Sequence, residues 1–372
     1  PLIAHNTYLN TASSGLLYDS LLNFRQEHDL DFLIGGSIFR EEQHLFLNNV
    51  RKTIASFFGS LNTNVALTPN FSLGFNTVLN GLEKNKKVLL LEDDYPSINF
   101  SVESKGFEVC YAKIDTNLEQ NIENAIKKYT PDIFAFSLVQ YLNGIAIDLD
   151  FIKDLKTKYP DILFIADEVI NGFGRLGEPF GCQAMNIKPD TMSFAKAISS
   201  AYLPMSAVTV PEFLFETLVD ASRELGNFGH GFTYSGHPVC AAVALRTLEI
   251  YEERDLYTHA ARISIPFQEG LRGFAEHDLV GEARGKGLIG AVELVANKTT
   301  GEPFDAALGV GAFCAEAAQQ RGLIVRNLGD SIAFCPPIII TDAHVDEMFE
   351  KFSGALNDTK DWLHKERLHT QS

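Results

Sequence analysis

The sequence lacks an excess of positive charge and a paired set of cysteines. Its 372 residues carry a formal net charge of -17, which argues against a protein that binds nucleic acid or an anionic membrane, because both depend on Lys and Arg. None of the five cysteines forms a CxxC pair. We therefore expect buried thiols in a reducing cytoplasm, rather than a disulfide framework or a zinc site. The cysteines are Cys110, Cys182, Cys240, Cys314 and Cys335.

Long apolar runs are also missing. No run approaches the roughly 18–20 residues needed to span a bilayer, and the N-terminus shows no basic segment followed by an apolar one, so we expect no signal peptide and a cytoplasmic location. Hydrophobic residues make up 45% and charged residues 21% of the chain, a balance typical of a globular protein. The length favours a large domain followed by a smaller one.

Short apolar runs alternate with helical patterns in the first two thirds of the chain. Runs bounded by turn residues are typical of strands buried on both faces. The alternation predicts an open, largely parallel, doubly wound sheet, which binds ligands at the carboxyl ends of its strands. The predicted strands cover residues 65–69, 88–92, 108–113, 133–138, 163–167, 191–194 and 207–210, and helices cover 121–128 and 149–158.

The pattern changes after about residue 239, where helices over 239–254 and 258–274 lead to strands over 288–294, 323–326 and 331–334. Thr341 is a candidate N-cap for a last helix over 342–360. We predict an N-terminal arm over residues 1–15, a large domain over 16–256 and a small α+β domain over 257–372.

A GxGxxG pattern at residues 172–177 follows a predicted strand. The dinucleotide-binding form of this pattern requires a helix that opens at the glycines. Here Glu178 and Pro179 follow, which indicates a loop. The pattern therefore gives only weak support to a dehydrogenase.

Asp167 and Lys196 end two successive predicted strands. A buried carboxylate is costly unless it is paired, so Asp167 either caps a loop or holds a cation such as a protonated pyridine ring. Lys196 either reaches solvent along its aliphatic stem or is a desolvated amine with a lowered pKa, suited to forming a Schiff base. The two residues on neighbouring strand ends are together a more specific indication of such a site than either residue alone.

From about residue 163 onward the sequence resembles the class III (omega) aminotransferases. The matching segments are DEVINGFGR (167–175), SFAKAISSAYLP (193–204), GHGFTYSGHP (229–238) and GLIVR (322–326). The resemblance implies the fold of aspartate aminotransferase (fold type I), with a mostly parallel seven-stranded sheet in the large domain and a small α+β C-terminal domain. It also implies the cofactor pyridoxal 5'-phosphate (PLP) and a homodimer with shared active sites.

The class III resemblance assigns a role to each matching residue. Lys196 would form the Schiff base and move the proton, and Asp167 would bind the pyridine nitrogen. Val169 would pack under the ring. Thr233 would reach the cofactor phosphate of the partner subunit, and Arg326 would recognise a substrate carboxylate.

Residues 1 to about 160 instead resemble the class V aminotransferases. The matching segments are YLNTASSG (8–15), TPNFSLGFN (68–76), EDDYPS (92–97) and SLVQYLNG (137–144). By this resemblance Asn70, Phe71 and Ser72 would open a helix that holds the phosphate, as a helix N-terminus can. Tyr95 would stack on the ring. Gln140, or its neighbour Tyr141, would lie near the ring hydroxyl.

The composition also differs between the two parts. Residues 1–160 contain 11 Lys and 3 Arg, whereas residues 161–372 contain 7 Lys and 10 Arg. Since both resemblances imply one fold, with a junction near residues 159–163, we hypothesise a recombined or engineered chimera.

The resemblances imply a PLP-dependent transaminase that moves an amino group from an amine or amino acid to a keto acid such as pyruvate. A hybrid that binds PLP with little activity is the first alternative. A PLP lyase or desulfurase is the second, although no cysteine stands in an obvious loop facing the cofactor.

Overall fold

A seven-stranded sheet forms the centre of the fold in a computed structural model that describes residues 6–35, 38–58, 64–115, 117–141, 144–178, 189–226 and 236–366. The described strands are β1 (Thr7–Tyr8), β2 (Val65–Thr68), β3 (Lys87–Leu91), β4 (Glu108–Ala112), β5 (Ile133–Ser137), β6 (Leu163–Asp167), β7 (Thr191–Phe194), β8 (Ser206–Thr209), β9 (Val280–Lys286), β10 (Ile289–Leu294), β11 (Leu323–Ile324), β12 (Arg326–Leu328) and β13 (Ser331–Phe334). The described helices are α1 (Asp19–Gly35), α2 (Phe39–Phe58), α3 (Phe71–Asn80), α4 (Pro96–Glu103), α5 (Leu118–Tyr129), α6 (Leu149–Lys158), α7 (Glu212–Leu225), α8 (Pro238–Glu253), α9 (Leu256–Gly273), α10 (Val310–Gln320) and α11 (Asp342–Lys365).

The central sheet has the strand order β2-β8-β7-β6-β5-β3-β4. Strand β8 runs antiparallel to both of its neighbours, and the other pairs are parallel. All five residues of β5 are buried, as are four of the five in β6, because helices cover both faces of a doubly wound sheet. The predicted seven-stranded, mostly parallel α/β fold is confirmed.

The helices between the strands follow from local sequence. Helix α5 buries Leu118, Ile122, Ala125 and Ile126, a spacing of three and four residues that gives an amphipathic helix one apolar stripe. Helix α6 begins where Asp148 accepts a hydrogen bond from the amide of Phe151, as N-cap residues do. The predicted helix over 149–158 has the observed bounds.

Polar residues from four adjacent strands lie at the carboxyl edge of the sheet. Asp94 follows β3, Ser137 ends β5, Asp167 ends β6 and Lys196 follows β7. Strand β2 ends at the same edge and leads directly into α3. This edge is where a doubly wound sheet binds ligands.

A second, antiparallel sheet lies in the C-terminal part, with the strand order β12-β13-β10-β9. Thr341 is the N-cap of α11, as predicted, and its hydroxyl accepts a hydrogen bond from the amide of His344. Strand β1 pairs with β11, which ties the N-terminal segment to this part of the chain. The boundaries at residues 15 and 256 stay predictions.

Two strands of the C-terminal part differ from the sequence expectation. The predicted strand over 323–326 is two short strands, one paired with β1 and the other with β13. Strand β9 was not predicted because its sequence VGEARGK carries little apolar pattern. It forms a hairpin with β10 in which Gly287 has a φ of +58°, a conformation that favours glycine.

The remaining predicted elements differ from the observed ones by a few residues at their ends. The four cysteines within the described ranges, Cys110, Cys240, Cys314 and Cys335, are buried and free, as predicted. Cys182 lies outside the described residues. None of the described helices is long and apolar enough to cross a membrane.

Candidate functional site at the carboxyl edge of the sheet

Asp167 is a buried carboxylate, 9% exposed, at the end of a central strand. Its Oδ1 accepts a hydrogen bond of 2.7 Å from the amide of Val169. Burial, with a smaller contribution from the nearby Asp94, raises the pKa of Asp167 to about 7, and this is the balance after the hydrogen bond from Val169 and the charge of Lys196 have lowered it. Since desolvation dominates, a cation placed beside this carboxylate would be strongly stabilised.

Lys196 follows the adjacent strand β7 in a strained conformation, with a φ of +52°. Such left-handed geometry costs about 1 kcal/mol or more outside glycine. A hydrogen bond of 2.7 Å from the amide of Ala201 to the Lys196 carbonyl closes the turn. Burial lowers the pKa of Lys196 and Arg326 adds to this, while Asp167 and Cys335 oppose it. The amine is therefore neutral over a wider pH range than an exposed lysine.

Asp167, Lys196 and Val169 line one narrow cleft, so the structure brings together the three residues assigned to the cofactor ring. The remaining residues that line this cleft are Tyr95, Ser137, Val139, Tyr141, Ile170 and Asn171. The Oδ1 atom of Asn171 is buried without a hydrogen-bond partner among the described residues, so the cleft has an unused acceptor. Buried polar atoms are rarely left in this state.

Aromatic side chains form one wall of the cleft. The ring of Tyr95 lies 5.4 Å from that of Tyr141 and 6.2 Å from that of Phe71, both edge to face. Phe71 also stacks on Phe75, 5.5 Å away. Tyr95 therefore presents an aromatic side chain to the cleft and packs against the core that contains Phe71. Its stacking on a cofactor ring stays a prediction.

The predicted phosphate position is the N-terminus of α3. Asn70 is its N-cap, and the Asn70 side chain accepts a hydrogen bond from the amide of Leu73. The hydroxyl of Ser72 donates to that of Ser97 at 3.1 Å, so the N-termini of α3 and α4 lie side by side. Helix N-termini present unpaired amides and a positive dipole end. Ser97 was not a sequence candidate, although the EDDYPS segment contains it.

Gln140 and Tyr141 occupy different places. Tyr141 lines the cleft, whereas Gln140 is 2% exposed and its Nε2 donates to the carbonyl of Ser137 at 3.1 Å. The structure therefore favours Tyr141 over Gln140 as the residue that faces a ring hydroxyl. The Oε1 atom of Gln140 has no hydrogen-bond partner among the described residues.

Arg326 begins β12 and acts electrostatically on Lys196 and Tyr141, two residues that line the cleft, so its guanidinium lies near the cleft. It forms no ion pair or hydrogen bond with any residue inside the described ranges. Such a guanidinium is available to a carboxylate from outside. Thr233, the predicted phosphate contact of the partner subunit, lies outside the described residues.

A second cavity of about 190 Å³ lies on the other side of Lys196. Most of its lining is apolar and includes Leu16, Leu17 and Ile338. Cys335 also lines this cavity beside Lys196. Cys335 reaches this cavity from the C-terminal sheet, where it forms a bridge with Asn10, and nothing in its sequence context indicated this position. It does not line the cleft of Asp167, so the expectation that no cysteine stands in a loop facing the cofactor stays a prediction.

The GxGxxG pattern plays a structural part. Residues 172–177 form turns, and no helix opens there up to Glu178, where the described segment ends. The buried guanidinium of Arg175 donates to the carbonyls of Leu288 and Pro336 and to the hydroxyl of Thr11, 2.9 Å away. This loop therefore ties the large sheet to the C-terminal part.

The residues present fit PLP. The buried Asp167 carboxylate has no strong cationic partner among its described neighbours, which suits a protonated pyridine nitrogen. Lys196 lines the same cleft as a desolvated amine. The paired N-termini of α3 and α4 suit a phosphate.

The chain matches the family Aminotransferase class-III over residues 95–356. This match begins before the junction predicted near residues 159–163, so residues 95–160 also belong to the class III match.

A tomato (Solanum lycopersicum) protein, gamma aminobutyrate transaminase 3, is 44% identical over 255 residues, which cover 67% of this chain and 49% of that protein. Gamma-aminobutyrate transaminase 1 of rice (Oryza sativa subsp. indica) is 44% identical over 253 residues, 66% of this chain and 49% of its own length.

The similarity to solved structures extends over a longer part of the chain than the similarity to these relatives. A transaminase with L-alanine superposes with a TM-score of 0.72 at 33% identity, covering 80% of this chain and 81% of that one. The omega transaminase from Pseudomonas jessenii in complex with PMP gives 0.70 at 34% identity, covering 81% and 76%.

The chain spans about half the length of the curated relatives it matches. Because the family match nevertheless extends over more than half of the chain, from the aromatic wall of the cleft into the last helix, the chain belongs to the class III aminotransferases, a family of pyridoxal-phosphate enzymes with the fold type I architecture.

Proposed function

We propose that the protein is a PLP-dependent transaminase that moves an amino group from an amine or amino acid to a keto acid. The observation that carries the proposal is the meeting of a buried carboxylate and a desolvated amine in one cleft, Asp167 and Lys196. The family match and the relatives named above support it.

When bound, PLP supplies an electron sink for negative charge that develops at the amine-bearing carbon of the substrate. Asp167 would hold the pyridine nitrogen in its protonated form by accepting its hydrogen bond. Lys196 would anchor the cofactor and, once displaced, move a proton to and from that carbon. Its lowered pKa suits this work, because a general base is most effective when its pKa is near the working pH.

The geometry also suggests a substrate class. Arg326, which lies near the cleft, would bind a carboxylate at the far end of the donor. The two relatives cited act, by name, on γ-aminobutyrate, which carries an amine at one end and a carboxylate at the other. We therefore propose a carboxylate-bearing amine as donor and a keto acid such as pyruvate as acceptor.

A transamination assay tests this proposal. Protein saturated with PLP would be incubated with γ-aminobutyrate and pyruvate, and alanine would be measured with time. Alanine formation that requires both substrates and is lost in Lys196→Ala supports the transaminase. PLP binding without alanine formation, with any amine donor tried, would support the silent hybrid instead. Release of sulfide from cysteine would support the desulfurase alternative.

We further infer that the protein forms a homodimer. Large apolar side chains are exposed at the end of α1 and the beginning of α2: Leu33 is 80% exposed, Ile34 84%, Ile38 82% and Leu45 68%. A contiguous exposed apolar patch is typical of a protein interface. The predicted contact of Thr233 with the cofactor phosphate of the partner subunit points the same way. Light scattering tests this inference: Ile34→Glu should convert a dimer to a monomer.

A two-part ancestry stays a hypothesis for the segment before residue 95, where the class III family match begins. It is supported by the class V-like segments at residues 8–15 and 68–76. An uninterrupted reading frame in a natural genome would contradict an engineered origin.

A cytoplasmic location is likewise proposed on the absence of disulfides among the described cysteines, and localisation of a tagged protein would test it.

A further inference from the structure

Asp94 is a second buried carboxylate at the edge of the site, 3% exposed, between the end of β3 and the start of α4. Its Oδ1 accepts from the amide of Tyr95 at 2.6 Å, and its Oδ2 accepts from the amide of Ser137 at 2.9 Å. Burial raises the pKa of Asp94, and the hydrogen bonds from Ser137, Tyr95 and Gln140 oppose this by stabilising its ionised form. This one side chain therefore joins the ends of two adjacent strands, β3 and β5.

Both residues that Asp94 holds line the cleft of Asp167 and Lys196. Tyr95 supplies the aromatic wall, and Ser137 lies at the end of the strand beside Asp167. Only a carboxylate can accept from both amides at once. An asparagine offers a single oxygen, so one backbone N–H would face an NH₂ group, and an unsatisfied buried donor is costly.

We propose that Asp94 is a positioning residue of the cofactor site, which fixes Tyr95 and Ser137 against the ring position and keeps a second negative charge beside Asp167. This inference rests on the proposed function, because it concerns the binding of PLP. Asp94 acts through its neighbours and need not contact the cofactor.

The charge of Asp94 affects how PLP binding depends on pH. Asp94 raises the pKa of Asp167, so an uncharged residue at position 94 would let Asp167 stay ionised to lower pH. The other charged or titratable groups that interact in this cluster are Asp93, Tyr95, Tyr141, Lys196, Arg326 and Cys335. All of these groups remain in a variant at position 94. A change in the pH dependence of PLP binding in that variant therefore reports the loss of the Asp94 charge.

Asp132 provides a matched control at the opposite end of the same two strands. Its Oδ2 accepts from the amide of Lys87 at 2.8 Å, and its Oδ1 pairs with the Lys86 ammonium at 3.2 Å. It thus joins β3 and β5 as Asp94 does, but far from the cleft. Asp132→Asn should destabilise the fold without changing the site.

The experiment compares the wild-type chain, Asp94→Asn and Asp132→Asn by titration with PLP from pH 5.5 to 9, together with thermal unfolding. We expect Asp94→Asn to raise the PLP dissociation constant about tenfold or more at pH 8, from the loss of a hydrogen bond to a charged group. The acid limb of PLP binding should move to lower pH. Asp132→Asn should leave the dissociation constant and the acid limb unchanged.

Asp94→Glu serves as a second variant if Asp94→Asn fails to fold. It keeps the charge but displaces both acceptor oxygens, so PLP binding should weaken while the acid limb stays in place. Wild-type affinity and an unchanged acid limb in Asp94→Asn, or wild-type affinity in Asp94→Glu, would overturn the inference. A wild-type chain that fails to bind PLP would instead overturn the proposed function, whatever the variants do.

Discussion

Replacing Asp167 with asparagine should make the cofactor-free protein less sensitive to alkaline pH. The pKa of Asp167 is raised from 3.8 to about 7 in the folded chain, mainly by burial. A group with a raised folded pKa binds its proton more tightly in the folded state. Its contribution to stability is therefore complete below the unfolded pKa of 3.8 and is lost as pH rises through about 7.

The magnitude follows from linkage. Between pH 5.5 and pH 8.5 a carboxyl with these two pKa values loses about 2 kcal/mol of its contribution to folding. Asp167→Asn carries no titrating group, and its Oδ1 can still accept the hydrogen bond from Val169. The free energy of unfolding of the wild type should therefore fall by about 2 kcal/mol more than that of the variant over this range.

Urea unfolding of both cofactor-free proteins at the two pH values gives the free energies of unfolding for this comparison. Any effect of the asparagine amide on stability that does not depend on pH cancels when the two changes are subtracted. Asp190→Asn is the control, because Asp190 is ion-paired with Lys156 and accepts from the amide of Phe164 at the opposite edge of the sheet. That variant should be less stable at both pH values. Equal losses in the wild type and Asp167→Asn would refute the argument that a buried, poorly paired carboxylate occupies the site.

Substitutions at four further residues separate their roles. Lys196→Ala should slow alanine formation by about a hundred- to ten-thousandfold, the usual contribution of a general acid–base group, in the assay with γ-aminobutyrate and pyruvate. Arg326→Gln should raise the KM of γ-aminobutyrate about tenfold or more, the value of a charge-assisted contact, and leave the KM of an amine without a carboxylate unchanged. Tyr95→Ala should weaken PLP binding by about 1 kcal/mol in a titration, whereas Tyr95→Phe should retain it. Thr341→Ala should lower the free energy of unfolding by about 1 kcal/mol through loss of the N-cap and leave PLP binding unchanged.

The central sheet was predictable because its strands are short apolar runs with clear boundaries. The predicted spans over 163–167 and 191–194 have the observed limits, and these two strands place Asp167 and Lys196 on neighbouring carboxyl ends. Parallel strands that are adjacent in the sheet deliver their last residues to one edge. The core of the site therefore followed from the position of two polar residues after buried strands.

Residues that reach the site from distant segments could not be found in this way. Cys335 and Arg326 lie more than a hundred residues after Lys196, and only the packing of the C-terminal strands brings them close. Arg326 was identified by resemblance, whereas Cys335 gave no signal. Asp94 was part of a quoted motif, but its two backbone partners depend on the pairing of β3 with β5, which the sequence does not specify.

The N-terminal boundary of the class III resemblance was also set too late. Motifs with distinctive polar residues begin only near Asp167. The family match begins at Tyr95, within a region of short buried strands such as β5, where five consecutive apolar and small residues carry little family information.

The most direct test of the account is the absorbance spectrum of the protein with PLP, before and after addition of γ-aminobutyrate, alongside Lys196→Ala. We predict a visible band that fades with γ-aminobutyrate, returns on addition of pyruvate, and is absent or altered in the variant. A wild-type protein that develops no such band with excess PLP, or a band identical in Lys196→Ala, would contradict the assignment of Lys196 and Asp167 as the cofactor site.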